Sequence, residues 1–284
     1  MNPGKSQLKL GAENLENVDE HGEAALQVLG HEKIGTGAVN IIVMIDWIAD
    51  TSSWDPAKPY LNLEEFTWVF ADLRGYGRSK TLPGPFDLKQ SVTDILALAD
   101  HLGWRKFSSV GHSMSTLVAM HLAQHHPQRV ERAVFLTPAP PAGLGADETM
   151  LEAFRNIAFF DDNQRIEALG QRWGDRLSNG WVKFKAARWT STSSPDAVAD
   201  YTRMFGRDGL PDPKALIDLP VLAITGEEDM EILRSATVSK LLGPIVKNLT
   251  LVPFAQCSHY PMQEMPPLTV ATVERFLQGN ETRS

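Results

Sequence analysis

The sequence predicts an α/β protein: a mostly parallel central sheet flanked by helices, with a helical segment inserted between strands. Three observations carry that prediction. Apolar, β-branched runs alternate with stretches of helical spacing from residue 24 to residue 140. The alternation then gives way to helical, aromatic-rich text until about residue 219. Strand-like runs return at 220–229 and 248–256, so both ends of the insertion lead back to one sheet.

Taken in order, residues 1–22 are a polar lead-in. AALQVLG (24–30) reads as an early strand, and VNIIVMI (39–45) as a strand buried on both faces. FTWVFADLRGYG (66–77) is a second such run that ends in glycines. SVTDILALADHLGW (91–104) has helical spacing, with Ser91 and Asp94 as a capping box. A strand at 107–111 and a helix at 114–126 follow, the helix stopping near Pro127, and then a strand at 130–140. A last amphipathic helix is expected at 268–278. The expected organisation is therefore core 23–140, helical cap 141–215 and core again 216–284, the cap acting as a lid rather than a separate domain.

Composition bounds the function. The 284 residues are 43% hydrophobic and 22% charged, enough for a sizeable core. A net charge of -8 leaves no basic surplus to neutralise phosphates, which argues against a nucleic-acid partner. The lone cysteine, Cys257, excludes an internal disulfide framework and fits a reducing cytoplasm. The N-terminal stretch has no apolar signal core, and runs such as Ile41–Ile45 fall far short of the ~18 residues of a membrane span. A cytoplasmic protein acting on a small molecule is expected, with no membrane partner and its oligomeric state open. No Cys/His spacing suggests a metal, and His125-His126 lacks the H-E-x-x-H arrangement.

The chemistry centres on VGHSMST (110–116). Gly111 and Ser115 flank Ser113 at minus and plus two, between a strand and a helix. A serine held in such a strained turn needs small neighbours, and the strain exposes its Oγ at the carboxyl edge of the sheet. The helix N-terminus behind it points unpaired N–H groups at a developing oxyanion. A serine hydroxyl needs a base and a carboxylate that orients the base. Most histidines lie on helices or in the polar N-terminal region, and His112 is expected to point away from Ser113. His259, in the loop after the last strand, is the candidate base. The turn ITGEEDME supplies Glu227, Glu228 and Asp229; Asp229 is favoured for reaching over the sheet edge, with Glu228 in reserve.

These segments together resemble the α/β-hydrolase fold family, in its cap-bearing esterase, lactonase and C–C hydrolase branch. ADLRGYGRS (71–79), VGHSMS, TGEED and SHYPMQEMPP resemble that family's post-strand arginine-glycine segment, nucleophile elbow, acid turn and histidine ending. The resemblance runs from about Glu23 to Leu277. It implies the α/β-hydrolase fold and a catalytic triad of Ser113, His259 and Asp229, with an acyl-enzyme intermediate and no cofactor. It also implies a cap over the substrate pocket, and the cap's aromatics suggest a substrate with an apolar or aromatic part. The pattern departs from the family in MIDWIAD, where Ile45-Asp46 stand in place of His-Gly. In that register the oxyanion hole takes the backbone N–H groups of Trp47 and Met114. Asp46, Ile48, His112, Trp181 and Trp189 are the candidate pocket residues. A carboxylate at Asp46 would oppose negative charge developing beside it.

Two alternatives belong to other classes. Cofactor-independent dioxygenases of this fold act on heteroaromatic substrates and resemble this chain in a tryptophan at the Trp47 position. They take their acid from the loop after the strand at 130–137, which here reads TPAPPAG with no carboxylate. A non-catalytic ligand-binding protein that keeps the triad is the other. Aspartate-nucleophile dehalogenases and epoxide hydrolases are disfavoured by Ser113.

Overall fold

A computed structural model of the chain describes residues 27–170 and 177–279. The lead-in expected at 1–22 lies outside the described residues. So do the first three residues of the strand expected at 24–30.

Among the described residues seven strands form one sheet: β1 (His31–Ile34), β2 (Val39–Met44), β3 (Phe66–Ala71), β4 (Phe107–His112), β5 (Val130–Leu136), β6 (Ile217–Gly226) and β7 (Val246–Phe254). Their order is β1-β3-β2-β4-β5-β6-β7, and β1 alone runs antiparallel, against β3. Helices α1 (Leu88–His101), α2 (Thr116–His125), α7 (Ser235–Leu242), α8 (Pro261–Glu264) and α9 (Pro266–Leu277) belong to the sheet's flanking layers and loops. Helices α3 (Glu148–Ile157), α4 (Asp162–Gly170), α5 (Asn179–Thr192) and α6 (Pro195–Arg203) fall between β5 and β6. The side chains of β3 and β4 are buried throughout, as expected for parallel strands covered on both faces. Among the described residues no helix is long and apolar enough to cross a membrane.

The local structure departs from expectation at several points, among them the end of the strand expected at 130–140, which stops at Leu136. The first strand begins at His31, because the backbone of Gly30 is committed elsewhere: its N–H donates to Ser79 Oγ and its carbonyl accepts from Asp72. Helix α1 starts earlier than residue 91, capped by Asp87, whose side chain accepts from the Gln90 N–H. Ser91 and Asp94 are therefore interior. The Ser91 hydroxyl donates to the Asp87 carbonyl, and Asp94 serves a tertiary contact. Helix α7, unanticipated, is anchored by Glu227, which accepts from the N–H and the hydroxyl of Ser235.

That tertiary contact holds the loop after β3. Arg74 donates from Nε and a terminal nitrogen to the two oxygens of Asp94, at 2.9 and 2.8 Å, with both side chains buried. A paired fork of this kind is costly to halve, because the surviving charge stays out of water. Asp94→Ala is expected to lower the unfolding free energy by about 3 kcal/mol in urea titrations. A loss below about 1 kcal/mol, the range of surface pairs, would contradict the role given to the pair.

Candidate active site

Parallel strands deliver their carboxyl ends to one edge, and the sequence places reactive residues just past four of them. Asp46 follows β2, Ser113 follows β4, Asp229 follows β6 and His259 follows β7.

Ser113 has φ of 52°, a left-handed conformation that a residue with a Cβ rarely adopts. Its turn is held by a set of hydroxyls. Ser115 Oγ accepts from the His112 N–H at 2.9 Å and donates to the His112 carbonyl at 3.1 Å. Thr116 Oγ1 donates to the Ser113 carbonyl at 2.5 Å and accepts from the Ala139 N–H at 3.0 Å. Gly111 has no alternative, since a Cβ there would sit 2.7 Å from the Ser115 carbonyl oxygen. Ser115 is thus more than a small residue beside the elbow: its hydroxyl closes the turn.

Of the three carboxylates in the acid turn, Asp229 is the one against His259, with Nδ1 donating to Oδ2 at 2.6 Å. Glu227 is engaged with α7, and Glu228 is exposed. Asp229 Oδ1 accepts from the Met230 N–H at 2.7 Å, so both of its oxygens are held. The histidine loop is clamped by Glu264, whose two oxygens accept from the N–H groups of Ser258 and Tyr260 at 2.8 and 2.9 Å, bracketing His259. The His259 carbonyl accepts from His112 Nε2 at 2.7 Å and from Thr137 Oγ1 at 3.2 Å. His112 therefore points at the backbone of the histidine loop. Burial drives its pKa down to about 4, which keeps the ring neutral with its proton on Nε2.

Asp46 lies on the far side of His259. Its Oδ2 is 3.9 Å from His259 Nε2 and accepts from the Tyr260 hydroxyl at 3.4 Å. Its Oδ1 accepts from the Trp47 N–H at 2.5 Å. The amide expected to serve an oxyanion hole is thus occupied by the side chain that replaces the family's glycine. Burial alone would raise the Asp46 carboxyl, but the protonated forms of His112 and His259, the Lys185 ammonium and the Trp47 amide outweigh it and hold it below its ordinary value. Asp46, His112 and His259 each bring one potential metal-ligating atom within 4.8 Å of the others. The bonds to the His259 carbonyl and to Asp229 already occupy one ring nitrogen of each histidine.

The remaining pocket candidates tie the core to the helices between β5 and β6. Trp47 Nε1 donates to the Val198 carbonyl at 2.8 Å, and its ring packs 5.2 Å from that of Phe205. Ile48 is buried with φ of 56°. Trp181 Nε1 donates to Gln263 at 2.7 Å, and its ring lies 5.3 Å from Tyr260, beside the catalytic candidates. Trp189 is buried with the Arg165 guanidinium over its ring. Sequence reasoning missed Lys185, which lies on the buried face of α5 with Val182, Ala186 and Trp189. The signal was available: Lys185 is four residues from Trp181 and four from Trp189, on one helical face. Tyr260 and Glu264 were also missed, although both lie inside the quoted histidine segment.

A family model described as alpha/beta hydrolase fold matches residues 42–232. The chain belongs to the alpha/beta hydrolase fold family and is a hydrolase of that type. It is 28% identical over 249 residues to a pimeloyl-[acyl-carrier protein] methyl ester esterase of Pseudoalteromonas atlantica, covering 80% of this chain and 90% of that protein. It is 27% identical over 194 residues to 3-oxoadipate enol-lactonase 2 of Acinetobacter baylyi, covering 63% of this chain and 67% of that protein. Among solved structures, a bromoperoxidase from Bacillus anthracis superposes with a TM-score of 0.77 at 20% identity, over 87% of this chain and 94% of that one, a likeness of fold.

Proposed function

We propose that the chain is a serine hydrolase that opens an ester, lactone or activated carbonyl of a small, largely apolar or aromatic molecule. The observation that carries this reading is the left-handed Ser113 at the strand-to-helix turn, on the sheet edge where His259 is hydrogen-bonded to Asp229. In this mechanism Asp229 holds the proton of His259 on Nδ1, which leaves Nε2 as the base. Nε2 takes the Ser113 proton, Oγ attacks the carbonyl carbon, and the leaving group departs with the proton from His259. Water, activated by the same nitrogen, then releases the acyl group and restores Ser113. Names of relatives that include an ester esterase and an enol-lactonase support acyl transfer to water. No cofactor is needed for these steps.

Asp46 changes the electrostatics in two opposed ways. Its charge disfavours an oxyanion beside the Trp47 amide, and it favours the imidazolium that forms when Nε2 takes the proton. The Met114 amide at the helix start is the oxyanion donor in this reading. The Trp47 amide joins it when the Asp46 carboxylate gives it up.

The test is covalent. A fluorophosphonate probe is expected to label the folded protein at one serine, located by peptide mass spectrometry at Ser113, with labelling lost in His259→Ala. Labelling elsewhere, or none, would contradict the proposal.

A further inference from the structure

One charged side chain near the catalytic cluster makes no hydrogen bond or ion pair among the described residues. Lys185 is only 5% exposed and lies on the buried face of α5. Among the described residues no hydrogen bond or ion pair is made by its ammonium, which lies 4.8 Å from the centre of the Tyr260 ring. Asp46 and Asp50 act on its charge through space and make their hydrogen bonds to other groups. Asp46 accepts from the Trp47 amide and the Tyr260 hydroxyl. Asp50 accepts from the amide and hydroxyl of Ser52 and pairs with Arg188. An ammonium carries three donors and no acceptor, and no described protein group fills any of the three, which leaves them for oxygens supplied by water or a ligand. The π face of Tyr260 attracts the charge and offers no lone pair.

The position of this unfilled donor set matters. Tyr260, beneath the ammonium, is the residue next to His259, and its hydroxyl reaches the Asp46 oxygen that also faces His259 Nε2. An anchor on Lys185 would hold one end of a substrate while the other meets Ser113. We infer that Lys185 binds a carboxylate of the substrate, so that the molecule hydrolysed is an ester or lactone whose acyl part also carries a free acid. This inference rests on the serine-hydrolase reading and names the substrate class of that same site.

The experiment compares two p-nitrophenyl esters of equal length, p-nitrophenyl hydrogen adipate and its terminal carboxamide, which are nearly isosteric and differ in one charge. The quantity read is the ratio of kcat/KM, charged over neutral. The full-length protein is expected to give a ratio of about ten or more, carried by KM. Lys185→Met is expected to bring the ratio down about tenfold, and Lys185→Arg to restore part of it. A ratio at or below one in the parent protein, or the same ratio in Lys185→Met, would overturn the assignment of Lys185. If the ratio fails while Ser113 still takes the fluorophosphonate, only this inference falls. If Ser113 takes no label, the hydrolase reading falls and this one with it.

Discussion

Ser113→Ala is expected to reduce hydrolysis of short p-nitrophenyl esters by about 10⁴-fold or more while leaving the folded structure in place. The size follows from the chemistry: without Oγ there is no acyl-enzyme, and what remains is the contribution of binding and the oxyanion donors. The fold should survive, because the turn is held by Gly111, Ser115 and Thr116 and not by the Ser113 side chain. Replacing left-handed Ser113 with alanine keeps the same strained φ, so circular dichroism and the urea midpoint should change little. His259→Ala is expected to be nearly as damaging, since base and nucleophile act as a unit. Retained turnover in Ser113→Ala would refute the assignment.

The second large effect is expected at Gly226, a residue with no side chain to offer the reaction. It ends β6 just before the acid turn, and a Cβ there would lie 1.9 Å from the Ser258 carbonyl oxygen and 2.6 Å from that of Cys257. Both atoms are backbone, so no side chain can rotate away. The acid turn depends on the same contact, because the Glu228 N–H donates to the Cys257 carbonyl at 2.9 Å. Gly226→Ala must therefore push the loops bearing Asp229 and His259 apart. A displacement near 1 Å is enough to cost about 10²-fold in kcat/KM. A stability loss of about 2–4 kcal/mol should accompany it, as for other severe steric clashes in a core. The informative comparison is the activity of the folded fraction, measured well below the urea midpoint. If Gly226→Ala keeps its full kcat/KM there, the close approach of the two loops is not what aligns the histidine with its carboxylate.

The same contact shows where the sequence was legible and where it was not. A strand such as Phe66–Ala71 could be read directly, because a strand buried on both faces is apolar at nearly every position, here all but Thr67. The boundaries were harder. Ser91 with Asp94 has the spacing of a cap, yet the side chain that closes the first turn is Asp87, and Asp94 instead answers Arg74 from twenty residues away. Spacing along the chain records local partners only. It does not record that a distant guanidinium competes for the same carboxylate.

By itself the sequence determined the alternation of strands and helices, the insertion after β5, and the types and chain order of the candidate nucleophile, carboxylate and base. Small residues around a serine, an acidic turn after a strand and a histidine after the last strand are local patterns with local causes. Among Glu227, Glu228 and Asp229 the sequence favoured Asp229, and in the folded chain Asp229 is the one hydrogen-bonded to His259, a contact that depends on how two strand ends approach each other. Tertiary structure alone decided that Asp46 occupies the Trp47 amide and faces His259, and that Lys185 brings its ammonium over Tyr260 beside them. The reason is geometric. Asp46 and Tyr260 lie 214 positions apart and meet because parallel strands deliver their carboxyl ends to one side of the sheet, where Lys185 of α5 packs over Tyr260.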